Sequence, residues 1–426
     1  MPPLTIAIIG AGPGGLLLAR LLLRSPPPIS VSIFEAEASA TTRSQGSTLD
    51  LRPGGGLKAM REAGLWDEFC AHARWSGEAL KVVDKKLVTW LSRSGGSQTE
   101  PREWGAAPEI DRRVLRDVLL GSVGEGVVRW EKKVASVEVD DGTGKGVVRF
   151  VDGGEEGGFD LVVGADGCWS KVRAAVSEVK PVYSGVGGFS FSISDCERRA
   201  PEVWKLVDGG SVFGYSDSKG LNGQVLGDGS VSVSAWGVRG EDWMRERGYD
   251  VYDLEQAREG TKKEYVGWAK ELTNMLDAVD DDVVPRSLYM LPVDFAWEHK
   301  RGVTLLGDAA HVMTPFAGIG VNMALQDAME LAHAIIDAAK ETGKSVGKDV
   351  LDEQMRKYEK ELFPRMHAAQ EITDGAMKDM YFTEGAPRTS IHRWCSTVAG
   401  HDMHPLVRPV FTAALYTYFF IFRMFV

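Results

Sequence analysis

The stretch Thr5-Ile6-Ala7-Ile8-Ile9-Gly10-Ala11-Gly12-Pro13-Gly14-Gly15 decides the fold. Its β-branched first half predicts a short buried strand that the glycines close. Residues 16–24 have a helix-forming composition, and the prolines at 26–28 end that helix. Residues 31–35 predict a second strand. The order strand, helix, strand indicates a parallel pair joined by a crossover, and therefore an α/β fold.

The glycines fit the pattern G-x-G-x-x-G in the context that the pattern requires, after a strand and at the start of a helix. Gly10 permits the tight turn, Gly12 lets the backbone approach a pyrophosphate, and Gly15 lets the helix pack closely on the strand. Gly14 lies in the same turn, where free amides favour an anion. Glu35 ends the second strand, where a carboxylate accepts hydrogen bonds from a ribose hydroxyl and repels a 2′-phosphate. The turn therefore predicts a site for FAD or NAD and disfavours NADP.

Two later stretches repeat the arrangement of a strand followed by a turn with one aspartate. Residues 160–164 precede Asp166, and residues 303–307 precede Asp308. Because ligands of open α/β sheets bind beyond the carboxyl ends of the strands, we expect both aspartates at the crevice of the glycine turn. A cap on its own turn is the alternative for each aspartate. Residues 318–322 begin another helix, whose amides suit a pyrophosphate or the pyrimidine edge of a reduced flavin.

These three motifs, in this order and spacing, resemble those of the group A flavin monooxygenases, the para-hydroxybenzoate hydroxylase-like enzymes. The resemblance extends from about Thr5 to Ala339. It implies a bound FAD whose ribityl chain contacts Asp308 and whose pyrophosphate lies near Asp166, in a motif that is also tied to NAD(P)H use. The cofactor-binding residues predicted from these motifs are Gly10, Gly12, Gly14, Gly15, Glu35, Asp166, Asp308, Pro315, Gly318, Gly320, Val321 and Asn322.

A closer resemblance is to the tetracycline-inactivating branch of this group and its fungal relatives. Residues 46–51 look like the loop that passes the flavin ring there, which implies flavin contacts for Arg43 and Asp50. Residues 108–116 look like the segment whose arginine contacts FAD, which implies Arg112. A solvated surface charge is the alternative for both arginines. The similarity weakens where substrates are recognised, so tetracycline is not inferred as the substrate.

The pattern changes to period two between about Gly185 and Trp236, which predicts half-buried antiparallel strands. We therefore expect a Rossmann-like FAD-binding domain with an inserted antiparallel-sheet substrate domain and a C-terminal helical segment. The expected boundaries are 1–75, 105–178 and 296–340 for the first domain, 76–104 and 179–295 for the second, and 341–426 for the helices. The aromatic residues expected to line a pocket for a flat or polycyclic substrate are Phe191, Phe213, Tyr215 and Trp236, with core packing as the alternative.

The resemblance also implies the reaction. NAD(P)H reduces FAD, O2 adds at flavin C4a, and the resulting hydroperoxide hydroxylates or epoxidises an organic small molecule. Because the cofactor supplies this chemistry, no catalytic side chain is assigned, and His311 is interpreted as a structural histidine. The alternatives are another FAD-dependent oxidoreductase on the same fold, such as an oxidase or a Baeyer–Villiger oxygenase, and a non-catalytic flavin-binding homologue. The choice between NADH and NADPH stays open.

Composition narrows the classes of partner. The formal net charge of −11 argues against a nucleic-acid-binding surface, which would be basic. The four cysteines form no C-x-x-C pair and the histidines show no metal-ligand spacing, so we expect no metal site. No basic signal-peptide segment precedes the first apolar run, so we expect a cytoplasmic protein.

The last segment, residues 405–426, is rich in apolar and aromatic side chains. Its uninterrupted apolar stretch, residues 409–422, lies between Arg408 and Arg423 and is shorter than the ~20 residues of a spanning helix. A cap on the substrate domain is the favoured interpretation, with a peripheral membrane contact second and a dimer contact third. The oligomeric state stays open.

Overall fold

The computed structural model describes residues 3–40, 47–75, 77, 79–95, 107–140, 142–342, 347–400, 403 and 406–426. Arg43, one of the expected flavin contacts, lies outside the described residues.

The described strands are, in chain order, β1 (Thr5–Ile9), β2 (Ser30–Phe34), β3 (Thr48–Asp50), β4 (Leu80–Val83), β5 (Thr89–Arg93), β6 (Glu109–Asp111), β7 (Val128–Arg129), β8 (Val134–Val139), β9 (Gly146–Phe150), β10 (Glu155–Phe159), β11 (Leu161–Gly164), β12 (Val182–Ile193), β13 (Ser211–Ser216), β14 (Lys219–Val225), β15 (Val231–Val238), β16 (Asp281–Met290) and β17 (Val303–Leu305). The described α-helices are α1 (Pro13–Leu23), α2 (Lys58–Glu62), α3 (Trp66–His72), α4 (Arg112–Gly121), α5 (Cys196–Arg199), α6 (Pro201–Val207), α7 (Leu254–Glu264), α8 (Lys270–Ala278), α9 (Asp308–His311), α10 (Gly320–Thr342), α11 (Gly347–Met377), α12 (Ile391–Gly400) and α13 (Arg408–Phe422). Short π-helical turns cover Pro53–Leu57 and Lys378–Phe382, and 3-10 turns cover Arg173–Ala175 and Pro315–Ala317.

A parallel sheet with the strand order β17-β11-β1-β2-β7 carries the glycine turn. Helix α1 crosses from β1 to β2, and α10 packs against α1, so the apolar strands are buried as a parallel sheet requires. Ile9, Gly164 and Leu305 stand side by side in register at the carboxyl edge of β1, β11 and β17. The turns that follow these three strands therefore leave the sheet at one place.

The second large sheet has the strand order β16-β12-β15-β14-β13-β4-β5. Its neighbouring strands are antiparallel, as predicted, except that β4 and β13 run parallel. This exception arises because β4 and β5 enter the sheet from a separate, earlier segment of the chain. The sheet takes its strands from 80–93 and 182–290, inside the expected segments of the substrate domain, and the boundaries themselves stay a prediction.

This sheet has two different faces because side chains alternate along each strand. One face carries Leu221 and Phe191 and is covered by α6, α7 and α8. The opposite face packs against the C-terminal helices and against Phe316 of the 3-10 turn. We call it the inner face, and it carries Phe213, Tyr215, Asn222, Ser234 and Trp236.

Two smaller antiparallel sheets complete the strand pairing. Strands β8, β9 and β10 form one of them. Strands β3 and β6 form the other, in which Asp50 lies opposite Glu109 and Thr48 opposite Asp111. The second pairing fixes the loop that was expected to pass the flavin.

The C-terminal helices connect both halves of the molecule. Helix α11 packs along α10 and against the 3-10 turn, α12 packs on α11, and α13 packs on α12. None of the described helices has both the length and the hydropathy that crossing a bilayer requires.

Two details of the helices depend on single residues. Helices α7 and α8 are separate because Gly267 adopts a φ of +86° between them. Helix α11 continues from Gly347 to Met377 although Pro364 lies inside it.

Candidate cofactor and active site

The glycine turn has one open position and several closed ones. Gly10 has a φ of +105°, and a Cβ there would lie 2.5 Å from the Ala165 carbonyl oxygen. A Cβ on Gly15 would lie 2.3 Å from the Gly10 carbonyl oxygen, and one on Gly14 would lie 2.7 Å from Leu306 Cδ1. A Cβ on Gly12 would meet no atom within 4 Å. The chain therefore needs glycine at three positions for its own packing, whereas Gly12 faces open space.

Helix α1 begins directly behind this open position. Gly12 is its N-cap and supplies no side-chain cap, and Pro13 occupies the first turn. The backbone N–H groups of the first turn have no intrahelical partners, so the helix start presents donors and the positive end of its dipole. This arrangement binds a phosphate or pyrophosphate group.

Glu35 lies beside the turn, as its place at the end of β2 predicted. Its Oε2 accepts a hydrogen bond of 2.7 Å from the Ala11 N–H, and its Oε1 accepts one of 3.0 Å from the Glu37 N–H. Each carboxylate oxygen keeps a second lone pair for a ribose hydroxyl. The backbone bonds thus hold the carboxylate in place for a ligand.

Arg116, which the sequence did not identify as a site residue, supports the glycine turn by a hydrogen bond to its backbone. It is buried in α4, donates from Nε to the Ala11 carbonyl oxygen at 3.1 Å, and pairs with Glu37 at 2.9 Å. It therefore fixes the glycine turn from behind. Its spacing of four residues from Arg112 on an amphipathic helix was the available signal, because positions i and i+4 share a helix face.

Asp308 leaves the sheet edge next to the glycine turn. It is the first residue of α9 and follows Gly307, whose φ is +57°. Its side chain is exposed and has no hydrogen bond or ion pair with any described residue. The Asp308 carboxylate therefore does not cap its own turn, and it is free to accept hydrogen bonds from a ligand.

A buried charge network supports this turn from inside. Asp327 Oδ2, on α10, accepts hydrogen bonds from the Gly307 N–H at 3.0 Å and from His311 Nε2 at 2.6 Å. Its Oδ1 accepts one from Arg365 at 2.9 Å. Burial alone would lower the pKa of His311, but the Asp327 carboxylate outweighs it and raises that pKa. The interpretation of His311 as a structural residue agrees with these contacts.

Asp166 has a different environment from Asp308. Its carboxylate accepts hydrogen bonds from Ser170 Oγ at 2.6 Å and from the Lys171 N–H at 2.6 Å. Burial raises its pKa, and these hydrogen bonds oppose the shift. Arg173 then joins this turn to α9 by donating to the carbonyl oxygens of Cys168 and Ala309. The contacts of Asp166 are those of a turn cap, and its role towards a cofactor stays a prediction.

Asn322 ties the expected flavin loop to α10. Its Oδ1 accepts hydrogen bonds from the Arg52 N–H at 2.7 Å and the Gly56 N–H at 3.1 Å, and its Nδ2 donates to the Asp50 carbonyl oxygen at 2.8 Å. Three of the four hydrogen-bonding positions of the side chain are thus used by the protein. The backbone amides at the start of α10 are the groups that we expect to face a ligand.

The cleft above this loop contains opposing charges. The Asp50 carboxylate lies 3.6 Å from the Arg52 guanidinium and close to Gly318, which has a φ of +64°. Desolvation raises the pKa of Asp50, and Arg52 opposes the shift. Burial raises the pKa of Glu109, opposite Asp50 in the sheet pairing, to about 8. The Arg74 guanidinium 3.4 Å away opposes that shift only in part.

The remaining cofactor predictions fall at the same place. Pro315 begins the 3-10 turn, and Gly320 and Val321 begin α10, which packs against α1. Arg112 begins α4, which also packs against α1, is exposed, and has no ion pair with any described residue. These residues thus lie on elements that pack around the glycine turn, and their role towards a cofactor stays a prediction.

Comparison with known protein families identifies the cofactor. Residues 4–366 match the family described as FAD binding domain. The chain belongs to this family. The family match and the order of the motifs confirm the resemblance to the FAD-dependent monooxygenases and the predicted Rossmann-like fold.

Three relatives show the extent of the similarity. The chain is 30% identical to monooxygenase penA of Penicillium thymicola over 424 residues, which cover 89% of this chain and 96% of that protein. Its fold is similar to that of Klebsiella pneumoniae HpxO complexed with FAD and uric acid, with a TM-score of 0.72, 19% identity and 97% of each chain covered. It is also similar to that of tetracycline destructase Tet(51), with a TM-score of 0.67, 20% identity, and 96% and 98% covered. The chain is an FAD-dependent enzyme of the monooxygenase family.

The residues of this FAD-binding protein fit the cofactor on their own geometry. The open space at Gly12 would suit a pyrophosphate, the fixed carboxylate of Glu35 a ribose hydroxyl, and the unpaired carboxylate of Asp308 the hydroxyls of a ribityl chain. The amides at the start of α10 suit the electron-rich edge of a reduced flavin ring.

The expected substrate residues are divided between the two faces of the large sheet. Phe213, Tyr215 and Trp236 lie on the inner face, towards Phe316 of the 3-10 turn. Phe191 lies on the opposite face, is 2% exposed, and stacks on Phe189 with ring centroids 5.5 Å apart. Phe191 is therefore a core residue, the alternative that the sequence left open, because helices cover it on the face opposite the inner face.

Proposed function

We propose that this chain binds FAD in the cleft at the carboxyl edge of the parallel sheet and uses NAD(P)H and O2 to hydroxylate or epoxidise an organic small molecule. The observation that carries the proposal is the register of Ile9, Gly164 and Leu305, which delivers the glycine turn, Asp166 and Asp308 to one place. Bound FAD would supply the redox chemistry, taking electrons from NAD(P)H and passing one oxygen atom of O2 to the substrate.

The protein's own part is to bind, orient and exclude water. The α1 amides and Gly12 would hold the pyrophosphate, Glu35 the adenosine ribose and Asp308 the ribityl chain. Asp50, Arg112 and the amides of Gly318 to Asn322 would border the flavin ring. Backbone donors fixed in this way need no reorganisation when charge develops on the ring, which is the main advantage of a preorganised site.

The inner face supplies the substrate side of the site. Tyr215 and Trp236 are nearly buried and Phe213 is partly buried, so together with Phe316 they form an apolar wall. Such a wall favours a flat aromatic or polycyclic substrate and keeps water from the reacting centre. A neutral, largely apolar small molecule is therefore the proposed substrate class.

The first experiment is the visible spectrum of the purified protein, followed by anaerobic addition of NADH or NADPH and then readmission of air. We expect flavin bands that bleach with one of the two donors and return with O2. Consumption of the donor that rises with an aromatic substrate and gives an oxygenated product would establish the monooxygenase. Steady production of H2O2 without any oxygenated product would favour an oxidase, and a protein that does not take up FAD would favour the non-catalytic homologue.

A second proposal concerns α13, which we propose contacts an anionic membrane surface. Its inner side is a cap as expected, because Phe419 is buried against α12 and the Phe422 ring lies 5.4 Å from the Trp90 ring. Its outer side exposes Val410, Phe420 and other apolar residues, and no charged residue occurs between Arg408 and Arg423. An apolar patch of this kind is rarely left in water.

Basic residues border this patch. Burial and the nearby guanidiniums of Arg388 and Arg393 lower the pKa of Arg423, so three arginines lie close together at the end of α13. Arg393 is paired with Asp379 at 2.8 Å, which leaves Arg388 and Arg423 as the basic border of the patch. The chain as a whole carries a net charge of −11, so this cluster contrasts with the rest of the surface. Apolar side chains flanked by arginines suit a surface of anionic lipids.

Vesicle flotation tests this contact. We expect the full chain to float with phosphatidylcholine vesicles that contain phosphatidylserine, and less with phosphatidylcholine alone. The double variant Phe420→Asp, Phe425→Asp should lose binding, whereas Val266→Asp, at an equally exposed apolar residue on another part of the surface, should keep it. A dimer that the double variant dissociates, without vesicle binding by the parent, would instead identify a second copy as the partner.

A further inference from the structure

Among the described residues, Oδ1 of Asn222 on the inner face and the hydroxyl of Tyr381, which packs on that face, are buried without hydrogen-bond partners. Tyr381 is fully buried, and Asn222 is 9% exposed. Buried polar groups in proteins nearly always have a partner, because an unpaired one loses its hydrogen bonds to water without compensation.

The two groups lie together, beside the 3-10 turn that precedes α10. The Tyr381 ring is 4.8 Å from the Phe316 ring and 5.6 Å from the Tyr215 ring, between centroids. A Cβ on Gly220 would lie 2.5 Å from the Tyr381 hydroxyl, and Asn222 follows two residues later on the same side of β14. Asn222 is also close enough to the Tyr381 hydroxyl to oppose the rise in its pKa as a hydrogen-bonding side chain would, although the two groups lie outside the geometry of a hydrogen bond. The pair therefore lies where the proposed substrate side of the site begins.

The opposite face of the same strands shows how this chain treats a purely structural phenol. The Tyr265 hydroxyl, equally buried, donates to the Gly220 carbonyl oxygen at 2.8 Å and to the Trp236 carbonyl oxygen at 3.1 Å. Backbone acceptors are thus within reach of buried tyrosines here. Tyr381 has none among the described residues, although it lies near the same Gly220.

The surroundings also define the charge of a ligand group. Burial is the main cause that raises the pKa of Tyr381 well above its usual value, so the phenol stays neutral at ordinary pH. Its ring contacts are the aromatic residues Phe316 and Tyr215. Half-buried hydroxyls continue the polar row from Asn222. Ser234 on β15 lies opposite Asn222, and Ser190 on β12 lies opposite Ser234. Neutral donors and acceptors of this kind suit a neutral polar group and not an ion.

We propose that Asn222 and Tyr381 bind a neutral amide or lactam of the substrate, with the Asn222 carbonyl accepting its N–H and the Tyr381 hydroxyl donating to its C=O. This inference rests on the proposed function and narrows it to polycyclic or aromatic substrates that carry such a group. A site built to pair both atoms disfavours the hydrocarbon analogue, which would leave them unpaired.

The test uses the FAD-loaded enzyme and two bicyclic probes of similar shape, isoindolin-1-one, which is a lactam, and indane, which is a hydrocarbon. Binding is followed by the change in the visible spectrum of the bound flavin. We expect the lactam to bind more tightly than indane. Tyr381→Phe and Asn222→Leu should each lower the affinity for the lactam about tenfold and leave the affinity for indane unchanged.

Thermal unfolding of the ligand-free enzyme supplies a second measurement. Tyr381→Phe removes no hydrogen bond and should leave Tm unchanged or raise it, whereas the control Tyr265→Phe should lower Tm by about 2–4 °C. Equal binding of the two probes, or a loss of Tm in Tyr381→Phe like that of Tyr265→Phe, would overturn the inference. Flavin content and reduction by NAD(P)H are measured on the same samples, so a failure of the proposed function is recognised separately.

Discussion

The carboxylate of Asp327 holds the backbone N–H of Gly307 at 3.0 Å, twenty residues away in the chain. Gly307 is the residue whose left-handed φ turns the chain out of β17 and presents Asp308 to the cofactor cleft. Because Asp327 is itself fully buried between His311 and Arg365, the position of Asp308, the proposed ribityl contact, depends on a charge network inside the protein.

Asp327→Asn should therefore lower both stability and FAD affinity. The substitution leaves His311 and Arg365 without their shared carboxylate, and breaking a buried pair of this kind costs about 3 kcal/mol. Urea unfolding and FAD titration of the apoprotein measure the two effects. Asp337→Asn, at an exposed position on the same helix, is the control and should change neither. An unchanged FAD affinity in Asp327→Asn would show that the network has no part in positioning Asp308.

Asp308 and Asp166 should respond differently to the same substitution. Asp308→Asn removes an exposed carboxylate without protein partners, so it should lower FAD affinity at least about tenfold and leave the stability of the apoprotein unchanged. Asp166→Asn weakens a turn cap, so it should lower apoprotein stability by about 1 kcal/mol. If Asp308→Asn kept full flavin and full turnover, the assignment of the ribityl contact would be wrong.

The glycine turn allows a similar separation of folding from binding. Gly12→Ala adds a methyl group to open space, so the apoprotein should fold normally while FAD binding weakens. Gly15→Ala places its Cβ 2.3 Å from the Gly10 carbonyl oxygen and should destabilise the apoprotein. Circular dichroism melting and flavin content of the purified variants distinguish the two. Equal melting temperatures for both variants would contradict the packing described at Gly15.

Glu109 should make stability depend on pH. The Glu109 carboxyl group has its ordinary pKa of 4.5 in the unfolded chain and a pKa of about 8 in the folded protein. The folded state therefore binds more protons than the unfolded state between these two pH values. The contribution of Glu109 to stability falls as pH rises from 4.5 to 8. Glu109→Gln should melt a few degrees higher than the wild type at pH 8.5 and much less so at pH 5. The exposed Glu197→Gln is the control, and a parallel pH profile for Glu109→Gln would exclude the burial effect.

Much of the cofactor side was predictable because its determinants are local in the chain. The turn around Gly10 and Gly12 needs a particular backbone conformation, and Glu35 and Asp308 follow strands whose apolar composition marks them. Parallel strands in one sheet bring their carboxyl ends together, so the sequence alone determined that these motifs meet at one cleft. The order and spacing of the motifs also indicated FAD as the cofactor and the FAD-dependent monooxygenases as the protein family.

Tertiary structure alone decided which buried side chains support or border that cleft. The period-two pattern of β12 places Phe191 and Ser190 on opposite faces but does not state which face the helices cover, and packing assigned Phe191 to the helical side. Asp327 and Arg116 act through contacts that only the packed helices create. The packing of Tyr381 near Asn222 brings a C-terminal turn to strand β14, more than one hundred residues earlier in the chain. Such a proximity has no signature in local sequence because it depends on how separate elements pack together.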